Sequence, residues 1–425
     1  MMKRYETYKK SNLQWVKKIP QHWIEGKVKY LFEIGRGRVI SQQELNPEGK
    51  YPVFSSQTKN NGCLGYIDTY DFDDNILTWT TDGANAGEVF KRNGKFNCTN
   101  VCGTLKPKKV LNLDYFLYLM KFLTPFYKRP DTNGAKIMNG EMAEIISYFP
   151  TLLEQTQIAN YLDYKTGLID AIIAQKETLI QKLKEQRQAI INEAVTKGLN
   201  PDVKLKDSGI EWLGDIPEHW EVAKLKWLSN IYSGGTPSTN IESYWTNGTI
   251  PWLNSGTVNQ KRITKASEYI TDVALQNSST KWVNKGSILM ALAGQGKTKG
   301  MAAMLEFDAT CNQSMAAIEV DDSKAYNEFI LIWLESNYLN IRSMGGGEKR
   351  DGINLQILGN IYCPLPALDE QKEIFKHVSN LTSKIEISSE ELIKSIQKLK
   401  EYRQSLISEA VTGKIDVRDW QAPKS

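Results

Sequence analysis

Residues 180–196 read IQKLKEQRQAIINEAVT, and residues 396–412 read IQKLKEYRQSLISEAVT. At this offset of 216, 13 of the 17 positions are identical. Upstream at the same offset, PTLLEQTQI (150–158) meets PALDEQKEI (366–374). A second match has an offset of 197: SNLQWVKKIPQHW (11–23) lies over SGIEWLGDIPEHW (208–220). A repeat this long is a duplicated domain rather than a solenoid unit. The chain therefore reads as two units, and the difference of 19 between the offsets makes the middle of the second unit longer.

Each unit has the same internal order. A Trp-containing opening leads into a middle rich in Gly, Asn and Thr, where NILTW, IPWLN and SILMALA read as short strands set between turns. A proline then marks a boundary, and a long helix follows. In the first helix apolar residues recur at Ile158, Leu162, Ile169, Ile172, Leu179, Leu183 and Ile190. The second repeats the row at Ile374, Val378, Leu381, Ile385, Leu392, Leu399 and Leu406. Alternating steps of three and four over several heptads are the spacing of a coiled coil. The expected fold is thus α+β: two β-rich domains joined by two long helices that form an antiparallel intramolecular coiled coil. The alternative is that each helix lies on its own domain. The expected boundaries are 1–150 and 201–365 for the β-rich domains, and 151–200 and 366–425 for the helices. About 45 residues of helix span roughly 70 Å, about two turns of duplex DNA.

Composition sets further bounds. No run of eighteen apolar residues and no apolar leader is present, so neither a membrane span nor a secretory signal is expected. Five cysteines in 425 residues fit a reducing cytoplasm better than a disulfide framework. Charge is uneven. Residues 1–150 hold 22 Lys and Arg against 15 acids, a balance of +7, whereas 201–365 hold 15 against 18, or −3. The first segment suits a polyanion partner.

Catalytic signatures are weak. ALAGQGKTKG (291–300) ends like a phosphate-binding loop, but Ala291 stands where a glycine is needed and the following KGMAAMLEF reads as strand. A Gly-rich loop that lets the backbone approach a partner is the better reading. TWTTDGANAGEVF (78–90) is its looser counterpart in the first unit. The three histidines, His22, His219 and His377, suggest no metal site, and two belong to the repeated His-Trp pair, expected to pack on an aromatic layer. No methyltransferase, dinucleotide-binding or nuclease motif is evident.

The groups suited to DNA are Lys and Arg for phosphates and Arg, Asn and Gln for base edges. In the first unit they are Arg36, Arg38, Asn85, Lys91, Arg92, Asn97, Asn100 and Lys136. In the second they are Lys261, Arg262, Gln295, Lys297, Lys299, Asn312, Gln313, Lys349 and Arg350. Singly, each reads as a solvated surface side chain. Their clustering beside Gly-rich loops raises the set above that.

The paired openings, the PTLLEQTQI and PALDEQKEI junctions and the near-identical helices resemble the DNA-specificity subunit of type I restriction–modification systems. The GQGKTKGM and CNQS stretches resemble parts of its target-recognition domains. The resemblance covers nearly the whole chain. It implies a DNA-binding subunit without catalysis, in which each middle reads one half of a split double-stranded target. The helices would set the spacing and dock modification subunits, two of them. Those subunits would carry S-adenosylmethionine and methylate adenine; separate motor subunits would restrict DNA with ATP and magnesium. This chain would hold no cofactor and work in the cytoplasm in defence against phage. The first unit departs from the pattern, with IGRGRVI (34–40) where the second has SGGTPS (233–238), so DNA contacts do not transfer onto it residue by residue. The competing classes are an enzyme, either a nucleotide hydrolase using 291–300 or a fused methyltransferase, and a coiled-coil scaffold with no nucleic-acid role.

Overall fold

The structure is a computed structural model that describes residues 3–13, 15–132, 134–294, 297–344 and 352–423. It divides into two compact units: residues 1–177 with 393–425, and residues 178–392. All five cysteines are free thiols. No helix among the described residues is long and apolar enough to cross a membrane.

In the first unit a six-stranded sheet runs in the order Phe32–Arg36, Cys102–Pro107, Phe72–Thr80, Val89–Cys98, Tyr51–Phe54, Cys63–Ile67. Every pairing is antiparallel except that of Tyr51–Phe54 with Val89–Cys98. The sheet buries Phe32, Leu77, Trp79 and Leu105, and helix Leu113–Tyr127 buries Phe116, Leu119 and Leu123. That helix starts where it does because the Asn112 side chain accepts the Tyr115 amide at 2.9 Å, satisfying one of the free N–H groups of the first turn.

The second unit divides the same plan between two sheets. One runs Ser229–Ser233, Met315–Val320, Ile288–Ala291, Ala302–Leu305, Arg262–Ile263; the other runs Glu268–Ile270, Ile250–Leu253, Ala309–Cys311, Trp282–Val283. Strand Val89–Cys98 of the first unit has its counterpart in two pieces here, Ala302–Leu305 and Ala309–Cys311, interrupted at 306–308. The parallel pairing recurs, between Ile250–Leu253 and Ala309–Cys311.

The two repeated segments form helices Leu152–Lys197 and Leu368–Val411, 46 and 44 residues long. They pair antiparallel. In the first unit Arg403 makes a two-pronged ion pair with Asp170, at 2.9 and 3.2 Å. In the second, Arg187 meets Glu386 at 3.4 Å. The seam is not the strict heptad row expected from spacing. Ile158, Leu162 and Ile169 are buried, but Ile172 and Leu179 are 42% and 46% exposed, and Ile173 is buried instead. A straight helix of 3.6 residues per turn drifts by about 20° per heptad against a 3.5 repeat. The same drift buries Ile191 beside half-exposed Ile190, and Ile396 between the partly exposed Leu392 and Leu399. The ends of the helices also lie in the unit cores: Ile191, Ala194, Val195, Ile374 and Val378 share a cluster with Trp220 and Phe329.

Candidate nucleic-acid interface

In the first unit three loops converge on one tight turn, 99–101, between strands Val89–Cys98 and Cys102–Pro107, so that four loops meet there. The loop after Phe32–Arg36 reaches it through Gly37 N to Cys102 O at 3.1 Å and Arg38 N to Cys98 O at 3.1 Å. The loop after Tyr51–Phe54 starts where Thr99 N donates to Phe54 O at 2.8 Å. The 81–87 loop joins through Thr81 N to Val101 O at 3.1 Å, and its neck is closed by Gly87 N to Thr80 O at 2.8 Å.

The second unit makes the same set of bonds. Gly234 N reaches Met315 O at 3.4 Å, and Gly235 N reaches Cys311 O at 2.8 Å. Asn312 N donates to Leu253 O at 2.9 Å, Leu292 N to Ser314 O at 2.8 Å, and Gly300 N to Ala291 O at 2.8 Å. So CTNV (98–101) stands over CNQS (311–314), and 81–87 over 292–300. Gly37 and Gly234 are equivalent as well: a Cβ on either would lie 2.0 and 1.9 Å from the Cys98 and Cys311 carbonyl oxygens. IGRGRVI and SGGTPS, which look unrelated as sequence, thus occupy the same place. The nucleotide-loop reading of 291–300 fails, because strand Ala302–Leu305 follows where a phosphate-facing helix would have to begin.

The residues singled out by sequence have different fates. Around the first turn stand Arg36, Arg38, Asn85, Asn100 and Lys136. Asn85 and Asn100 are exposed, and their amides bond no described residue. Among the described residues the Arg36 guanidinium has one hydrogen-bond partner, the Met138 sulfur at 3.7 Å. Arg38 is already matched by Glu44 at 2.7 Å and Asp71 at 3.1 Å, and the Glu44 bond holds its pKa above the ordinary value. Lys136 pairs with Asp131 at 3.1 Å. Around the second turn stand Lys297, Lys299, Asn312 and Gln313. Lys297 is exposed. Lys299 is only 7% exposed. Asn312 Oδ1 accepts the Ser314 amide at 3.1 Å, and Gln313 Oε1 accepts from the Thr236 hydroxyl.

Three cations point to helices instead: Lys91 to Asp114 at 2.8 Å, Lys261 to Glu386 at 3.1 Å and Arg262 to Glu328 at 2.9 Å. Arg92, Asn97 and Lys299 are corrections, since all three are buried. Asn97 gives its amide to Thr69 O and the Asp71 amide, at 2.8 and 2.9 Å, which fixes a loop, and its full burial keeps it from a duplex. Gln295, Lys349 and Arg350 lie outside the described residues. Among the described residues no group of three metal-ligating side chains occurs.

Sequence reasoning missed the Glu-Gln pair inside both junctions. Glu154 is buried and takes Trp23 Nε1 at 3.0 Å, the Tyr5 hydroxyl at 2.6 Å and His22 Nε2 at 2.8 Å. Glu370 takes Trp220 Nε1 and His219 Nε2, both at 3.0 Å. The His-Trp repeat is therefore read by a carboxylate; the tryptophans lie in the core while the histidines stay near the surface. The neighbouring glutamines are buried too. Gln155 donates to Pro150 O at 3.0 Å and accepts the Asn112 amide at 3.0 Å; Gln371 donates to Pro366 O at 2.9 Å and accepts the Tyr326 amide at 2.8 Å. Each pair locks a long helix to the opening of its unit and to the N-cap of the unit's inner helix. The repetition of Glu-Gln at one offset was the available signal.

The model of the type I restriction modification DNA specificity domain matches the chain twice, at residues 20–185 and 217–398. The chain belongs to the type I restriction–modification DNA specificity family. The type I restriction enzyme MjaVIII specificity subunit of Methanocaldococcus jannaschii is 26% identical over 422 residues, 95% of each chain. A putative type I specificity subunit of Mycoplasma pneumoniae, S.MpnORF507P, is 42% identical over 138 residues, 32% of this chain; the match spans only 38% of that relative's length. A chain from a structure of a type I restriction–modification system, solved to study its complex assembly and conformational transition, shares the fold with a TM-score of 0.72 at 14% identity, covering 93% of this chain and 99% of that one. In this specificity-family member the two family domains each contain one of the two four-loop turns, and the Glu-Gln locks sit where each long helix leaves its domain.

Proposed function

We propose that the protein is the non-catalytic DNA-reading subunit of a type I restriction–modification complex, with each four-loop turn reading one half of a bipartite double-stranded target. The observation that carries this is the twofold occurrence of one backbone arrangement that presents different polar side chains: Asn85 and Asn100 in one copy, Lys297, Asn312 and Gln313 in the other. Exposed amides suit adenine edges, and the unmatched cations suit phosphates. Residues 1–150 and 201–365 act as the target-recognition domains. Residues 151–200 and 366–425 act as the spacer and dock two modification subunits, which supply S-adenosylmethionine; motor subunits supply ATP-driven restriction. The work takes place in the cytoplasm, where the DNA is. Adenine methylation needs the base out of the stack, so this chain holds the duplex while a partner's pocket receives the base.

The test is selection of duplexes from a randomised library on the full chain, with and without modification subunits of its own host. A split motif bound with strong salt dependence is expected. Gln313→Ala should relax one half and leave the other intact. Selection of no motif, with the partners present, overturns the proposal. Four residues inserted within 165–185 should change the gap between the halves and neither half itself.

A further inference from the structure

Residues 55–62, Ser-Ser-Gln-Thr-Lys-Asn-Asn-Gly, contain no acid and no apolar side chain. They join Tyr51–Phe54 to Cys63–Ile67. Because the first of these strands runs parallel to Val89–Cys98, the segment emerges beside the 99–101 turn. It is tied there through Thr99 Oγ1, which donates to Ser55 Oγ at 3.0 Å. Its base is closed by Ser55 N to Gly62 O at 3.0 Å and by Gln57 Nε2 on Cys63 O. Its tip, 58–61, is exposed. Asn60 and Asn61 both sit in the left-handed region, at φ 50° and 53°. Consecutive non-glycine residues there need a surrounding structure that enforces them.

That structure is Arg92. It is 3% exposed, with its guanidinium 3.6 Å from the Phe54 ring centre and 4.5 Å from that of Phe90. Its Nε donates to Thr78 Oγ1 at 3.1 Å, and its Nη1 donates to Asn61 O at 2.8 Å. Nη2 has no acceptor among the described residues, and Arg92 has no ion pair with them. Burial lowers its pKa to about 10. An unneutralised cation is costly in such a place. Here it pins the Asn61 carbonyl and puts positive charge directly beneath a tip made of Lys59 and two asparagines. The side chains of Lys59, Asn60 and Asn61 bond no described residue. The corresponding loop of the second unit differs. Asn254 Oδ1 accepts the Gly256 amide at 2.9 Å, Asn259 donates to Gly256 O at 2.8 Å, and Gln260 accepts the Thr264 amide at 3.3 Å, so its amides are used within the loop.

We propose that 58–61 is a further DNA-reading element of the first domain, with the Asn60 and Asn61 amides on base edges, Lys59 on a phosphate, and Arg92 as the positioning residue that presets the tip. This rests on the DNA-reading function proposed above. The test is the duplex selection with the full chain carrying Asn60→Gly and Asn61→Gly. Glycine takes positive φ freely, so the fold should survive and the melting temperature should not fall. At one or more positions of the first half-site, preference for the favoured base should drop by about tenfold or more, with the second half-site unchanged. Arg92→Lys keeps the charge but loses the Nη1 bond to Asn61 O, and should blur the same positions. A first half-site unchanged to within about twofold in the double variant, or equal losses in both halves, overturns the inference while leaving the wild-type motif standing. A wild-type chain that selects no motif overturns both proposals.

Discussion

Replacing Glu154 tests how the repeated His-Trp pair is held. The carboxylate serves two buried donors, the Trp23 indole and the Tyr5 hydroxyl, and one half-exposed group, His22. In Glu154→Ala both buried donors lose their acceptor, at about 1–3 kcal/mol each, while His22 rehydrates at little cost. The expected loss is about 4 kcal/mol. Glu154→Gln keeps the oxygen shared by Trp23 and Tyr5 and turns its NH2 toward His22, which accepts as the other tautomer, so about 1 kcal/mol is expected. Glu370→Ala strands only the Trp220 indole and should fall between them. Urea unfolding gives the order, and hydrogen exchange by mass spectrometry localises it to 19–28 and 146–158, which matters because a chain of two units need not unfold in one step. Equal stability of the alanine and glutamine variants, or a loss below about 1 kcal/mol for alanine, would refute the clamp.

Other perturbations follow from the same geometry. Gly234→Ala places a Cβ 1.9 Å from the Cys311 oxygen, which forces the backbones apart; a loss of about 1–3 kcal/mol or more is expected, with relaxed reading of the second half-site alone in the duplex selection. The Asp170–Arg403 pair is partly solvated, so a double-mutant cycle to alanine should give a coupling below about 1 kcal/mol. Burial raises the Glu335 pKa despite Arg187 at 3.7 Å. A carboxylate whose folded pKa lies above its unfolded one adds stability at low pH and loses it as pH rises through the folded value. Glu335→Gln should therefore gain on the wild type as pH rises above the ordinary carboxylate range in urea melts, and a flat difference would count against the assignment.

The duplication made most of the frame legible: the helices, the junction prolines and the strand-rich middles all fell out of two offsets. What stayed hidden depended on partners distant in sequence. Glu154 and Gln155 were visible as repeated letters, yet nothing in the letters says that Trp23 and Asn112 face them. Arg92 and Asn97 read as surface groups because charge and amides usually are; their burial depends on aromatic rings and backbone groups supplied by other strands. Heptad arithmetic puts Ile172 and Leu179 on the seam, whereas the 3.6-residue period of an α-helix drifts against a 3.5 repeat and Ile173 is buried instead. The match between IGRGRVI and SGGTPS was invisible for a sharper reason. What the site demands is one glycine where two backbones touch, and a single shared residue is too little for alignment to find.

That last point bears on which side chains of the proposed reading turns are free to vary. Each turn is located by main-chain hydrogen bonds: Gly37 and Arg38 on Cys102 and Cys98, Thr99 on Phe54, Thr81 on Val101, and their counterparts in the second unit. Main-chain bonds are indifferent to the side chain, with Gly37 and Gly234 as the steric exceptions. The outward side chains of Asn85 and Asn100 in one copy and Lys297 in the other bond no described residue. Exchange among them costs little stability, since surface changes away from such bonds stay within about 0.5 kcal/mol. The Glu-Gln locks, by contrast, are side-chain bonds to buried partners, and they are repeated almost letter for letter. The division of labour between fixed and free sequence thus follows the division between side-chain and main-chain hydrogen bonding.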